Sequence, residues 1–362
     1  MIQAAAFRGM NVAEEASMLE FEQARSCPDP SEIGLTRRHL MSMALTSGAV
    51  GSAILAPGAF AQENDAVKTG QIQKLLPGFR QTRLKTSGAE INALVKGEGP
   101  PLLLLHGHPQ TVACWHKVAP RLAERFTVVL TDLRGYGDSS KPDGGKDSIA
   151  YSKREMARDQ VEVMRALGFD RFRAVGHDRG GRVLHRLLLD HPDAVSKAVL
   201  LDIAPTATMY AKVNKEFATR YMWWFFLIQP APLPETLIGN NLEFYLQTHI
   251  NKQNKTPGAI DPVAFEEYRR CYTRETLHAV CEDYRAAAGI DLIHDEADSD
   301  RRIGCPLLVL WGGKGVVGSS YDVLETWHAK ANDVQGASLP CGHYLPEEAP
   351  ELLLEKLNTF LT

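Results

Sequence analysis

None of the six cysteines is paired in a C-x-x-C spacing, so the usual signatures of a zinc site or a dithiol redox centre are missing. The chain also lacks a run of about 20 strongly apolar residues, the length a membrane-spanning helix needs. There are no repeats and no low-complexity tracts, which excludes collagen, coiled-coil and wholly disordered chains. A strong charge of either sign is missing too. Lys and Arg number 40 against 44 Asp and Glu, a net charge of -4. That gives no general pull toward nucleic acid or an anionic membrane. What is present is ordinary for a soluble globular chain: 362 residues, 44% hydrophobic and 23% charged. Such a chain buries a core without disulfide or metal staples.

The N-terminus carries its own signal. Arg37 and Arg38 precede a mild apolar run rich in Ala, Gly and Ser, which ends near Pro57 and is followed by Ala59-Phe60-Ala61. This order predicts a twin-arginine export segment over residues 1–61, cleaved before Gln62. The mature protein is then expected to be periplasmic or otherwise exported, with no stable membrane anchor. Glu14, Glu15, Glu20 and Glu22 are more acid than such a segment needs, and a start at Met18 is one explanation. The bland alternative is an N-terminal helix with a chance Arg pair. Beyond residue 61 the cysteines (Cys114, Cys271, Cys281, Cys305 and Cys341) read as small buried apolar residues.

The mature chain alternates strand and helix patterns. Thr82–Thr86 and Glu90–Lys96 flank Ser-Gly-Ala, a hairpin signal. Pro101–His106, Thr127–Thr131, Phe172–Gly176, Ala198–Leu201 and Leu307–Trp311 are nearly continuous apolar runs, as in strands covered on both faces. Helical patterns such as Ser152–Leu167 and Gly181–Asp190 lie between them. The expectation is an α/β fold with a mostly parallel sheet and flanking helices. From Pro205 to about Asp295 no strand-like run occurs, and aromatic residues accumulate. Residues 205–295 are therefore predicted to be a helical cap, inserted after the sixth strand, between core segments 62–204 and 296–362.

Three short motifs carry chemistry. Gly176-His177-Asp178-Arg179-Gly180-Gly181 joins a strand to a helix, the setting of a nucleophile elbow with Asp at its centre. A capped strand-to-helix turn is the alternative for that motif alone. His106-Gly107-His108-Pro109-Gln110-Thr111 follows the third strand. Its His108 amide, with that of Arg179, is placed to hold an anionic oxygen. Its two histidines, on a loop, suit packing and hydrogen bonding better than a metal. Cys341-Gly342-His343-Tyr344 follows the last strand, where a triad base belongs. The segment Trp311–Gly318 offers no carboxylate, so Asp202, at the end of the sixth strand, is the acid expected to orient His343. Arg179 follows Asp178 directly and Arg182 stands one helical turn beyond it. Both are expected to meet a substrate carboxylate, whose approach to an anionic Asp178 needs positive charge nearby. The alternative for Arg182 is a structural acid as partner.

In this order the motifs resemble the α/β-hydrolases that use an aspartate nucleophile, and most closely the fluoroacetate (haloacetate) dehalogenases. Similar stretches span nearly all of the mature chain. They include Trp115-His116-Lys117-Val118-Ala119-Pro120, residues 176–182, residues 201–206, residues 229–235, Cys281-Glu282-Asp283-Tyr284-Arg285-Ala286 and residues 342–348. The resemblance implies hydrolysis of a short 2-haloacid, with Asp178 as nucleophile, His343 as base, Asp202 as its partner, and Arg179 and Arg182 on the carboxylate. It implies an anionic small-molecule substrate, no metal or organic cofactor, and a homodimer. In the family a His and a Trp side by side in the cap, with a Tyr further on, cradle the halide. Those positions here read Trp223, Trp224 and Tyr284, so a Trp replaces the His. A further cap Trp expected near Asn251 is missing, and His108 stands where an aromatic is usual. The bulk of Trp223 is expected to change the pocket, for fluoride most of all. Two other readings remain at this point. One is an epoxide hydrolase, which would need two cap tyrosines, Tyr284 with Tyr221, Tyr245 or Tyr268. The other is a non-catalytic binding protein on the same scaffold.

Overall fold

The computed structural model describes residues 71–362. The export signal expected over residues 1–61 lies outside them. Among the described residues no helix is long and apolar enough to cross a membrane.

Eight strands form one sheet in the order β1-β2-β4-β3-β5-β6-β7-β8. They are β1 (Arg80–Lys85), β2 (Glu90–Lys96), β3 (Pro101–Leu105), β4 (Thr127–Thr131), β5 (Phe172–His177), β6 (Val195–Leu201), β7 (Leu307–Gly312) and β8 (Val334–Leu339). β1 pairs with β2, and β2 with β4, antiparallel; every other pairing is parallel. The central strands hold the expected apolar runs. Leu102–Leu105, Val128–Leu130 and Ala198–Leu201 are wholly buried, since helices cover both faces. β8 is the exception. Its sequence, VQGASL, has no apolar run because it is a half-exposed edge strand, and periodicity does not single it out.

The helices, in chain order, are α1 (Ala119–Leu122), α2 (Lys153–Ala166), α3 (Arg179–Asp190), α4 (Thr206–Ala211), α5 (Lys215–Arg220), α6 (Met222–Phe226), α7 (Leu233–Gly239), α8 (Leu242–Gln253), α9 (Pro262–Cys271), α10 (Arg274–Ala288), α11 (Ile290–Ala297), α12 (Val316–Ser320), α13 (Val323–His328), α14 (Leu345–Glu348) and α15 (Pro350–Leu361). From α4 to α11 the chain between β6 and β7 holds helices and no strand. Several of these helices are short and begin at side-chain caps. Asn214 accepts from the Phe217 amide, Asp261 from Val263 and Thr273 from Thr276. The five cysteines of the described chain are all free, and four of them are buried.

Candidate active site

The parallel strands all end on one edge of the sheet, and that edge gathers the chemical residues. Asp178 sits between β5 and α3 with φ 47° and ψ -114°, a strained backbone that throws its side chain clear of the turn. The turn is tight enough to exclude side chains at its glycines. A Cβ on Gly180 would stand 2.4 Å from the His106 carbonyl oxygen. Asp202 follows β6 with a similar positive φ of 52°.

His343 hangs from the loop between β8 and α14. Its Nδ1 lies 2.6 Å from Asp202 Oδ2, while Asp202 Oδ1 accepts from the Gly312 amide at 2.9 Å. Its Nε2 faces Asp178 Oδ2 at 3.9 Å, too far for a direct hydrogen bond. The other nucleophile oxygen, Asp178 Oδ1, accepts from the His108 amide at 2.9 Å. So one of the two expected oxyanion donors already engages the carboxylate; no hydrogen bond joins the Arg179 amide to it. The ring of His106 is spent locally. Its Nδ1 contacts the Gly107 carbonyl oxygen and its Nε2 accepts from the Leu133 amide.

The charges explain the protonation states. Burial alone would raise the Asp178 pKa, but His343, Arg182 and Arg179 outweigh it and hold the carboxyl well below its ordinary range. Burial alone would lower that of His343, but the hydrogen bond and charge of Asp202, with Asp178 behind it, raise it. His108 is pushed down to about 3 by burial, so its ring is neutral. Neither of its ring nitrogens has a partner.

The two arginines have different surroundings. Arg179 is locked to Asp283 of α10, with Nε and Nη2 reaching Oδ2 and Oδ1 at 2.8 and 2.7 Å. Asp283 also takes a bond from Lys153 Nζ and one from Tyr136 Oη at 2.6 Å. Arg182 has no acid partner among the described residues. Its contacts are the Ala204 carbonyl oxygen, Thr206 Oγ1 and Met209 Sδ, and its Nε is buried without a partner. The structural acid considered for Arg182 thus belongs to its neighbour.

The aromatic residues divide likewise. Trp224 lies under the Arg182 guanidinium at 4.6 Å, and Tyr284 under that of Arg179 at 4.2 Å. Tyr284 is also 5.6 Å from the His108 ring. Trp223 is not one of the rings under these two guanidinium groups. It packs on His249 at 4.5 Å and under Lys252 at 5.2 Å. It borders a cavity of about 110 Å³ that reaches Asp202 and His343. Asp283, Lys153 and His249 are site residues that sequence reasoning missed. Asp283 lay within a stretch already noted for its resemblance, but a buried acid on a helix looks the same in sequence as an exposed one. Among the described residues no group of three His, Cys, Asp or Glu side chains is arranged to hold a metal ion.

Comparison with known proteins bears on the family and the fold. The family model for the alpha/beta hydrolase fold matches residues 100–350. A fluoroacetate dehalogenase from a Burkholderia species is 43% identical over 290 residues, 80% of this chain and 95% of the relative. A soluble epoxide hydrolase from Corynebacterium sp. (strain C12) is 31% identical over 282 residues, 76% of this chain and 94% of that one. Among solved structures, ALR0039 of Nostoc sp PCC 7120, described as an alpha/beta hydrolase, is 59% identical with a TM-score of 0.78. That match covers 79% of this chain and 98% of the other.

Proposed function

The chain belongs to the alpha/beta hydrolase family, and from that premise we propose that it cleaves the carbon–halogen bond of a short 2-haloacid through an ester of Asp178. The observation that carries this reading is Arg182, a buried cation with no acid of its own, standing one helical turn from an ionised carboxylate. A substrate carboxylate is the missing counter-ion.

The steps follow from the contacts. Asp178 Oδ2 attacks the carbon bearing the halogen, and the halide leaves with the bonding electron pair. Oδ1, held by the His108 amide, becomes the ester carbonyl oxygen. Trp224 and Tyr284 flank the arginines beside the substrate. A water then gives its proton to His343 Nε2 and adds to Cγ of Asp178, and the His108 amide holds the oxyanion. Collapse returns the proton to the departing oxygen and frees the hydroxy acid, and the water's second proton, left on the Asp178 carboxyl, passes to solvent and restores the carboxylate. Asp202 keeps the imidazole oriented throughout. A serine at position 178 would leave a stable ether instead, which is why the chemistry calls for a carboxylate.

The test is halide release and glycolate formation from chloroacetate, bromoacetate and fluoroacetate. Asp178→Ala is expected to abolish both. His343→Asn is expected to trap the ester, seen as added mass on the protein. Halide release by the Asp178→Ala protein would defeat the assignment. A second reading, epoxide opening, draws support from Tyr221 and Tyr284. Both are buried near enough to Asp178 for its charge to add to the burial that raises their pKa values. Diol formation from a neutral epoxide, without halide release from haloacids, would favour it.

A further inference from the structure

The loop that carries His343 is held from one point. The amides on either side of the base, Gly342 and Tyr344, both donate to the Glu348 carboxylate, at 2.8 Å to Oε2 and 2.9 Å to Oε1. The same carboxylate accepts two bonds from the strap that follows α8 of the cap. The Lys255 amide reaches Oε2 at 2.8 Å and Thr256 Oγ1 reaches it at 3.0 Å. The His343 amide itself donates to the Gln253 carbonyl oxygen at 3.2 Å. Strap and loop are so close that a Cβ on Gly342 would stand 2.3 Å from that oxygen. Four donors therefore converge on one buried carboxylate, two from the base loop and two from the cap. Among the described residues no Lys, Arg or His forms an ion pair with Glu348.

We propose that Glu348 is the positioning residue through which the cap sets the aim of His343 at Asp178, so that base loop and cap strap act as one hydrogen-bonded unit. This rests on the role given above to His343. It predicts a division between the two chemical steps. Ester formation uses Asp178 and the arginines, none of which Glu348 holds. Ester hydrolysis uses the base, whose two flanking amides it does hold. The charge of Glu348 also adds to those of Asp202 and Asp178 in raising the basicity of His343. The other titratable groups near His343 include His177, with its ring 4.7 Å away, Tyr344 at 5.0 Å, the neutral His108 and His249, and Arg220, Tyr221, Lys252 and Lys255, which line the same cavity.

The experiment follows both steps in single turnovers of bromoacetate, as halide burst and as decay of ester mass, across pH. Glu348→Gln is expected to leave the burst within about 2-fold and slow ester hydrolysis by about 10- to 100-fold, the worth of one or two hydrogen bonds to a charged group. It is also expected to move the acid limb of hydrolysis to lower pH, because a charge that favoured the imidazolium is gone. Glu348→Asp keeps the charge, so it should restore the limb without restoring the rate. Should Glu348→Gln fail to fold, Thr256→Val removes a single cap-side bond and is expected to slow ester decay alone, by a few-fold. Burst and hydrolysis falling together, an unmoved acid limb, or a Thr256→Val protein equal to the parent in ester decay would each overturn the proposal. A parent enzyme that gives no burst from bromoacetate would instead overturn the haloacid reading.

Discussion

Arg179 and Arg182 stand three positions apart on the same helix, and their spacing suggests a matched pair. Their surroundings separate them. Arg179 is fixed by Asp283 with only its Nη1 left unpartnered, and Arg182 has no acid partner among the described residues. Arg182→Leu is therefore expected to lower kcat/KM on haloacids by about 100-fold, the scale of a lost charge-assisted bond in a buried site. Turnover of a neutral halide should hardly change; equal losses on both substrates would remove Arg182 from the carboxylate site. Asp283→Asn breaks a buried pair, strands Arg179 and leaves Lys153 only Asp291 at 3.6 Å, so it should cost about 3–5 kcal/mol of stability, read from the denaturant midpoint. Asp178, His343 and Asp202 were legible in the sequence because each sits in a short motif at a strand end. Asp283 was not. Its partners, Lys153, Tyr136 and Arg179, are all more than a hundred residues away in the chain, and no local pattern announces such a meeting.

At the scale of elements, the four-residue helix α14 does more than its length suggests. Its last two residues are adjacent carboxylates with separate duties. Glu348 holds the base loop, while Glu347 accepts from Gln110, on the loop after β3, and from Tyr268 of α9. Burial pushes the Glu347 pKa up to about 8 despite those donors. A folded-state pKa raised above the unfolded value means that an acid withdraws stability as pH rises between the two. The native protein is thus expected to lose melting temperature between about pH 4.5 and pH 8 through this group, and Glu347→Gln is expected to flatten that slope. A slope that persists in the variant would assign it elsewhere. The central strands were legible as elements because helices on both faces demand unbroken apolar runs. The edge strand β8 was not, since half of it meets solvent. The chain between β6 and β7 was legible as helical, but its division into short helices depends on caps such as Asn214 and Asp261, which in sequence look like any polar residue.

For the whole molecule, the cap leaves the sheet after β6 and returns before β7, and the return is pinned by charge. Arg186 of α3 meets Asp295 and Asp298 at the end of α11, while Arg154 of α2 bridges Asp190 and Asp298. The twin-arginine reading of residues 1–61 predicts that a chain beginning at Gln62 matches the full chain in melting temperature and turnover; a marked loss of either would overturn that reading. The unpaired Arg182 also bears on the molecule as a whole. A desolvated cation without a counter-ion weakens the empty protein, and a bound carboxylate repairs that weakness. Affinity for small carboxylates and resistance to heat then become two faces of one quantity. On the proposed haloacid reaction, the hydroxy acid product, which keeps the same carboxylate, would both protect the enzyme and slow it, and the resting enzyme in clean buffer would be its most fragile form.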